Sequence, residues 1–496
     1  MSRSRLAIAA TSMSMSIVLL TACGGSGSQR DALDAQQAPD AAAPAAADAT
    51  GNAAAVPGEV PAAGAAPGAA PGEVPGAATA PDAGKAKGKG AKTDVTTDAT
   101  KPGGAGGAAA AGGTLGPSDV GITASTIKVG HIGIYSGPVG SFGDDLSQAC
   151  RAGLQSINDS GGLSGRKLDV VVRDDGWDAT KGSNAVRDLV EREKVWALAC
   201  SMSVPTNDAV TPYLDQQKVP NIGSDGWGEA QYAGAWSFPV GASGVNEGEN
   251  LAEYQYKVQG LRTVGIIHFN NTTGEAYRDA YKKVFEELGG KVLVTQAANF
   301  DDPGTTTFIA QCRAKNVDGI TAMIDPGIFA RMVREAAAQA YKPRLGYSGG
   351  AALYFQVTPQ FTGPTAEGTI ATVDWVPDDP NGPAKNATGF RAYKETVEKY
   401  YPKIDHSNWT KAGYVGSKLL QTVAKKLGVN LTRQGMKDEL DKVTGFDTGL
   451  GPKLTFRPGA HRANKTTYLV QLQKSGNQLM WRYIAGPIVN PRRGNS

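Results

Sequence analysis

IKVGHIGIYSGPVGSFGDDLSQAC, residues 127–150, decides the fold. Its front half, 127–134, clusters and alternates β-branched residues as a buried strand does, and behind it Leu146, Ala149, Cys150, Gly153, Leu154 and Ile157 recur at helical spacing. The loop at 135–143, carrying Gly137, Gly140 and Gly143, joins the two. Strand, glycine-rich loop and helix in that order open a parallel α/β unit. The loop falls at the carboxyl end of the strand, which in open α/β sheets is where ligands bind.

The chain ahead of this unit reads as a leader and a tether. Arg3 and Arg5 precede an apolar and small-residue run at 6–20 that is too short to span a bilayer and ends in Leu20-Thr21-Ala22-Cys23-Gly24. This resembles a secretory signal peptide (1–22) closed by the lipobox of bacterial lipoproteins, and the resemblance implies acylation of Cys23. Acyl chains contribute roughly 0.8 kcal/mol per buried methylene, and stable anchoring takes more than one. Residues 23–118 are Ala, Pro, Gly and Asp with a lysine patch at Lys85, Lys87, Lys89 and Lys92. So few large apolar residues cannot offset conformational entropy, and the expectation is a disordered tether with a reach on the order of 50 Å. Much of the 64 Gly and 28 Pro therefore lies outside any core.

Beyond the first unit the pattern repeats. Strands are expected at 168–172, 195–200 and 219–222 and helices at 179–193 and 206–217. A second series follows, with strands at 263–268, 291–295, 319–324 and 344–347 and helices at 274–288, 305–315 and 328–340. The spacing then predicts a strand at 369–375 returning to the first lobe, helices at 387–401, 409–427 and 432–443, a crossover at 449–458 and a hairpin from 467–473 and 480–484. Two βαβ lobes joined through 238–246 would set both groups of strand-end loops around one cleft. In the first lobe Ser201-Met202-Ser203 leads into a helix, so free N–H groups, hydroxyls and the helix dipole suit a carboxylate or phosphate, although Ser203 or Thr206 acting as a plain cap explains the same residues. Asp225-Gly226-Trp227 joins an acid to an aromatic wall. The acids at Asp174, Asp175 and Asp178 read better as helix-capping than as a cation site.

Several functions are excluded or disfavoured. With 50 Lys+Arg against 47 Asp+Glu the net charge is +3, and nothing in that balance indicates nucleic acid. His131, His268, His406 and His461 lack metal-ligand spacing, and no nucleophile-elbow, zinc-protease or Walker signature is present. Gly137, Gly140 and Gly143 are spaced G-x-x-G-x-x-G, which misses the dinucleotide fingerprint. No enzyme, cofactor or metal site is expected.

The stretch SGPVGSFGDDLSQACRAGLQSIND, then Gly161-Gly162-Leu163-Ser164-Gly165-Arg166-Lys167-Leu168, and later GEAYRDAYKKVFEELGGKV resemble the type I periplasmic binding proteins of the leucine/isoleucine/valine-binding group. The resemblance runs from about 123 to 486. It implies two Rossmann-like lobes with parallel sheets joined by a three-strand hinge, divided as 123–241 and 374–452 for the N-lobe and 242–373 and 453–486 for the C-lobe, with a tail at 487–496. It also implies ligand contacts at Phe142, at Ala199, Cys200 and Ser201, and at Asp225, Gly226 and Trp227. In the second lobe the family's two tyrosines correspond to Thr273 and to Asp325 or Pro326, and its ammonium-binding glutamate to Gly349. Losing that acid leaves a ligand ammonium without its partner unless Asp225 or Asp325 replaces it. Some relatives pair the cysteine matching Cys200 with one where this chain has Trp177; here Cys150 and Cys200 could bond outside the cell or stay free. The implied protein is a monomeric, lipid-anchored receptor on the outer face of the cytoplasmic membrane. It would deliver a small carboxylate-bearing solute, an amino acid (possibly branched-chain) or related acid or amide, to an ABC permease. The alternative is a flytrap sensor or cell-envelope interaction protein uncoupled from transport.

Overall fold

The computed structural model describes residues 115–493, apart from 138 and 303 and the side chains of Ser141, Phe142 and Arg493. The signal peptide, Cys23 and nearly all of the expected tether lie outside these residues. In chain order the first lobe runs β1 (Thr126–Gly133), α1 (Gly140–Asp159), β2 (Lys167–Asp174), α2 (Ala179–Arg187), β3 (Ala197–Ala199), α3 (Val204–Gln217), β4 (Asn221–Ile222) and β5 (Ser237–Phe238). The second contributes α4 (Gly244–Tyr254), β6 (Thr263–Phe269), α5 (Thr272–Glu287), β7 (Lys291–Ala298), α6 (Thr306–Ala314), β8 (Gly319–Met323), α7 (Pro326–Ala338), β9 (Tyr347–Gly349), α8 (Val357–Thr362) and β10 (Ile370–Val373). The chain then returns to the first lobe for α9 (Phe390–Tyr400), α10 (Asn408–Leu427), α11 (Arg433–Leu440), β11 (Phe446–Asp447) and β12 (Lys453–Leu454), and ends in the hairpin β13 (Thr466–Ser475) and β14 (Gln478–Val489).

The first sheet has the order β2-β1-β3-β4-β5, all parallel. Alternation along β1 feeds two cores. Ile127 and Val129 pack with Leu146, Ala149, Leu154 and Ile157 of α1, and Ile132 packs with Val186 and Leu189 and with Val210 and Leu214 of α3. The second sheet has the order β14-β13-β10-β9-β8-β6-β7. Its strands from β7 to β10 are parallel, and the terminal hairpin adds two antiparallel strands at the β10 edge.

Three expectations shift. The strand placed at 344–347 is β9, three residues later, because Pro343 and Gly346 (φ +73°) turn the chain first. The strand at 369–375 pairs as β10 with β9 and β13 of the second sheet, and the chain crosses to the first lobe only after it. Residues 453–461, expected in the second lobe, pack on the first: Phe456 meets Phe238 edge-on at 5.6 Å, and His461 Nδ1 lies 2.7 Å from Ser237 O. The third crossing therefore follows His461. Neither α4 nor α8 is expected from the sequence.

The returning segment fixes the first lobe through α10, which lies against α1 with glycines at the contact. A Cβ at Gly413 would stand 3.0 Å from Cys150 N and 3.1 Å from Leu146 O, both backbone atoms of α1 that cannot move alone. Replacing Gly413 with leucine should therefore lower unfolding free energy by about 1–3 kcal/mol, the usual penalty for overpacking a core. Urea denaturation checks this, and an unchanged midpoint would show that the two helices are not held together here.

Candidate functional site

The carboxyl ends of strands from both sheets converge on a cavity of about 50 Å³. The first lobe supplies Ile134 after β1, Met202 and Val204 after β3, and Trp227 after β4, with Leu146 and Trp409 from α1 and α10. The second supplies Phe269 at the end of β6, Phe300 after β7, Pro326 after β8, and Ala352 and Phe355 after β9. Trp227 meets Trp409 edge-on at 4.5 Å, and Phe269 meets Phe300 at 5.5 Å. Trp177, held at φ +65°, completes the wall. Among the described residues only Asp225 and Asp325 bring ionisable groups to it. A larger groove of about 820 Å³ shares Phe355 and runs past Asp378 and Asp405 to Trp481. It borders the hairpin turn, whereas the smaller cavity sits where strand ends of the two lobes face each other.

Of the residues singled out in the sequence, Asp225, Trp227 and Asp325 line this cavity. Asp225 is fully engaged by its own lobe: Oδ2 accepts Asn207 Nδ2 at 2.6 Å, and Oδ1 accepts Trp227 N at 2.8 Å and Gln231 Nε2 at 2.9 Å. Burial nonetheless pushes its carboxyl above the ordinary range. Gly226 (φ +79°) makes the turn that presents Trp227, but forms no part of the wall. Ser201 O accepts Asn207 Nδ2, while its buried Oγ has no hydrogen-bond partner. Ala199 O lies 3.0 Å from His131 Nδ1, and Cys200 is joined to Cys150 by a disulfide, so both stand behind the wall. One ring nitrogen of buried His131 lies within 4.8 Å of both sulfurs, which are occupied by each other. Thr273 is buried in the first turn of α5, outside the wall. The side chain of Phe142 lies outside the described residues.

Gly349 cannot do what the family glutamate does. A Cβ there would stand 2.2 Å from Ala322 O, so the position admits no side chain. An acid reaches this neighbourhood from another element: Glu247 of α4, whose Oε2 lies only 2.7 Å from where a Gly350 Cβ would sit. Glu247 is fully buried and bound by three donors, Trp227 Nε1 on Oε1 at 2.8 Å, and Ala351 N at 2.7 Å and Thr372 Oγ1 at 2.9 Å on Oε2. The first donor belongs to the first lobe and the other two to the second. Sequence reasoning missed Glu247 and the aromatics of the wall other than Trp227. Glu247 sits in a helix rich in Gly, Asn and Glu, and the aromatics read as ordinary core.

Beside Glu247 stands Asp374, at the second crossing between lobes. Its Oδ2 accepts Ala242 N of the first crossing at 3.2 Å and Asn408 Nδ2 at 3.1 Å. Burial lifts the Asp374 carboxyl to about 7, and burial with the Asp374 charge lifts Glu247 well above its usual range. An acid that binds its proton more tightly when folded contributes stability that is present below its unfolded pKa of about 3.9 and is lost as pH rises through the folded value. Between pH 4 and 7.5 these two acids should therefore withdraw stability, and Asp374→Asn should make the dependence of stability on pH less negative than in the unaltered chain. Urea midpoints across the range test this; equal slopes in the two proteins would contradict it.

With this geometry in place the comparisons are decisive about family. The profile of the periplasmic binding protein family matches residues 126–477. The chain belongs to that family. Among its relatives, it is 24% identical over 328 residues to the Leu/Ile/Val-binding protein homolog 1 of Brucella suis, covering 64% of this chain and 84% of the relative. Its fold matches the fatty acid ABC transporter substrate-binding protein of Thermomonospora curvata at a TM-score of 0.63 and 23% identity, over 75% of this chain and 95% of that one. A solute-binding protein of an ABC transporter from Rhodopseudomonas palustris, in complex with 3,4-dihydroxybenzoic acid, matches at 0.65 and 16% identity over 74% and 99%. Membership of this family marks the chain as a binding protein rather than an enzyme. No helix among its described residues is long and apolar enough to cross a membrane.

Proposed function

We propose that this protein is the lipid-anchored, extracytoplasmic receptor of an ABC importer, and that its lobes close on a small carboxylate-bearing solute with an apolar body. The observation that carries the reading is the interlobe cavity, walled by Trp177, Trp227, Phe269, Phe300, Phe355 and Trp409 at the carboxyl ends of both sheets. Such a wall rewards burial of apolar surface at about 25 cal/mol per Å². A carboxylate suits the start of α3. Ser203 occupies the N-cap without a side-chain cap bond and Pro205 carries no N–H, so the Val204 and Thr206 amides are the first-turn donors at the end of α3 that borders the cavity through Met202 and Val204, with the helix dipole behind them. The unpartnered Ser201 hydroxyl is close in sequence to the same spot. The ligands for which the relatives are named span amino acids, fatty acids and aromatic acids, and their shared feature is a carboxylate. Cys23 within Leu20-Thr21-Ala22-Cys23 supports the anchor, and the Ala/Pro/Gly-rich segment after it supports a tether between membrane and lobes.

A thermal-shift screen of residues 23–496 with Cys23→Ser, against amino acids, branched aliphatic acids and aromatic acids, tests the reading. A true ligand at a hundred times its Kd should add about 2.7 kcal/mol of stability. Deleting the gene should then abolish uptake of that ligand by cells, and Cys23→Ala should move the protein out of the membrane fraction. Normal uptake in the deletion strain would refute importer coupling and leave a sensor.

A further inference from the structure

His131, Cys150 and Cys200 stand outside the solute cavity, and the receptor reading uses none of them. They come from β1, α1 and the turn after β3, so no sequence spacing joins them, yet all three are fully buried and one ring nitrogen of His131 lies within 4.8 Å of both sulfurs. Ala199 O orients the ring. It lies 3.0 Å from Nδ1 and 3.7 Å from Cys150 Sγ, and because a carbonyl oxygen only accepts, Nδ1 carries the proton of the neutral imidazole. The lone pair is therefore on Nε2, which is buried and has no hydrogen-bond partner. Metal-ligating histidines are held in this way, one N–H on a backbone carbonyl and the other nitrogen bare. The disulfide accounts for the two cysteines and leaves that nitrogen without a role.

We propose that the dithiol form of the protein binds one Cu(I) through Cys150 Sγ, Cys200 Sγ and His131 Nε2, so that disulfide and metal are alternative ties between α1 and the end of β3. Two steps lead there. A dithiol reductant gives two electrons to the Cys150–Cys200 bond and closes into its own disulfide, while its two protons pass to the separated sulfurs. Cu(I) then displaces those two protons to solvent and is held by two thiolates and a neutral imidazole, its oxidation state unchanged. With Cα atoms 6.0 Å apart, the sulfurs can part to the roughly 4 Å that two metal–thiolate bonds of about 2.3 Å span in a trigonal plane. Copper(I) rather than zinc follows from softness and number. Thiolates favour Cu(I), and this cluster offers three donors where a structural zinc is almost always held by four. The complex carries one net negative charge, which the Arg151 guanidinium, whose field already acts on His131, offsets. Cys200 stands two residues before Met202 of the cavity wall, so exchanging one tie for the other acts beside the solute site.

X-ray absorption at the copper edge tests the assignment independently of any solute. Residues 23–496 with Cys23→Ser are reduced by dithiothreitol in urea, freed of the reductant, refolded without oxygen and loaded with one equivalent of Cu(I) from a bathocuproine complex. Each copper should show two sulfur neighbours and one nitrogen neighbour, and the disulfide form should leave the copper with the chelator. His131→Gln keeps both cysteines and should weaken retention roughly tenfold or more, whereas Cys312→Ala should leave it unchanged. A spectrum with sulfur neighbours alone, equal retention by His131→Gln, or equal retention by the disulfide form would overturn the site. Displacement of the copper by an equal concentration of Zn2+ would overturn the choice of metal. The spectrum of the unaltered site decides the question even where a variant does not refold, and no outcome bears on the receptor reading.

Discussion

A single buried carboxylate ties the parts of this molecule together. Glu247 accepts hydrogen bonds from Trp227 in the first lobe and from Ala351 and Thr372 in the second, and every donor lies on a segment that shapes either the cleft or the hinge. Removing a carboxylate from water is expensive, and the expense is offset only when its lone pairs are met by well-placed donors. The arrangement that satisfies Glu247 is therefore also the arrangement that brings the Trp227 face of the cavity against the loop carrying Ala352 and Phe355. Gly350 belongs to the same constraint, because a side chain there would collide with the carboxylate.

Asp374 extends this polar centre into the hinge. Through Ala242 and Asn408 it joins the first crossing, the second crossing and α10, so three segments distant in sequence meet at one carboxyl group. Around that centre the molecule is largely apolar, and the cavity inherits this character.

Much of this was legible from residues 127–150 onward. The strand pattern of β1 and the 3.6-residue period of α1 survive because β1 sends alternate residues into two cores and α1 turns one apolar face to the sheet, whereas α10 is buried nearly all round from Asn408 to Ser417. The repeat of βα units disclosed two sheets, and the position of Asp225, Trp227 and Asp325 after strands disclosed three wall residues. Helix α4 was hidden for a physical reason: Gly244, Asn246, Glu247, Gly248, Glu249 and Asn250 are buried, so a polar, glycine-rich string that reads as a loop lies instead against Tyr277 and Tyr281 of α5. Phe269, Phe300, Phe355 and Trp409 were equally opaque, because an aromatic side chain after a strand has the same sequence signature whether it fills a core or faces a cleft. Carrying the family glutamate onto Gly349 failed because Ala322 O occupies the space, and the acid arrives from a helix that alignment by motif did not reveal.

The most direct test of the account is a double-mutant cycle between Trp227→Phe and Glu247→Gln, read from urea unfolding of the full chain. If the indole–carboxyl contact joins the lobes as described, the two changes should fall short of additivity by about 0.5–1.5 kcal/mol, the range for an intramolecular hydrogen bond. Strict additivity would mean that Trp227 and Glu247 stabilise the protein independently, and that the lobes are held in register by something else.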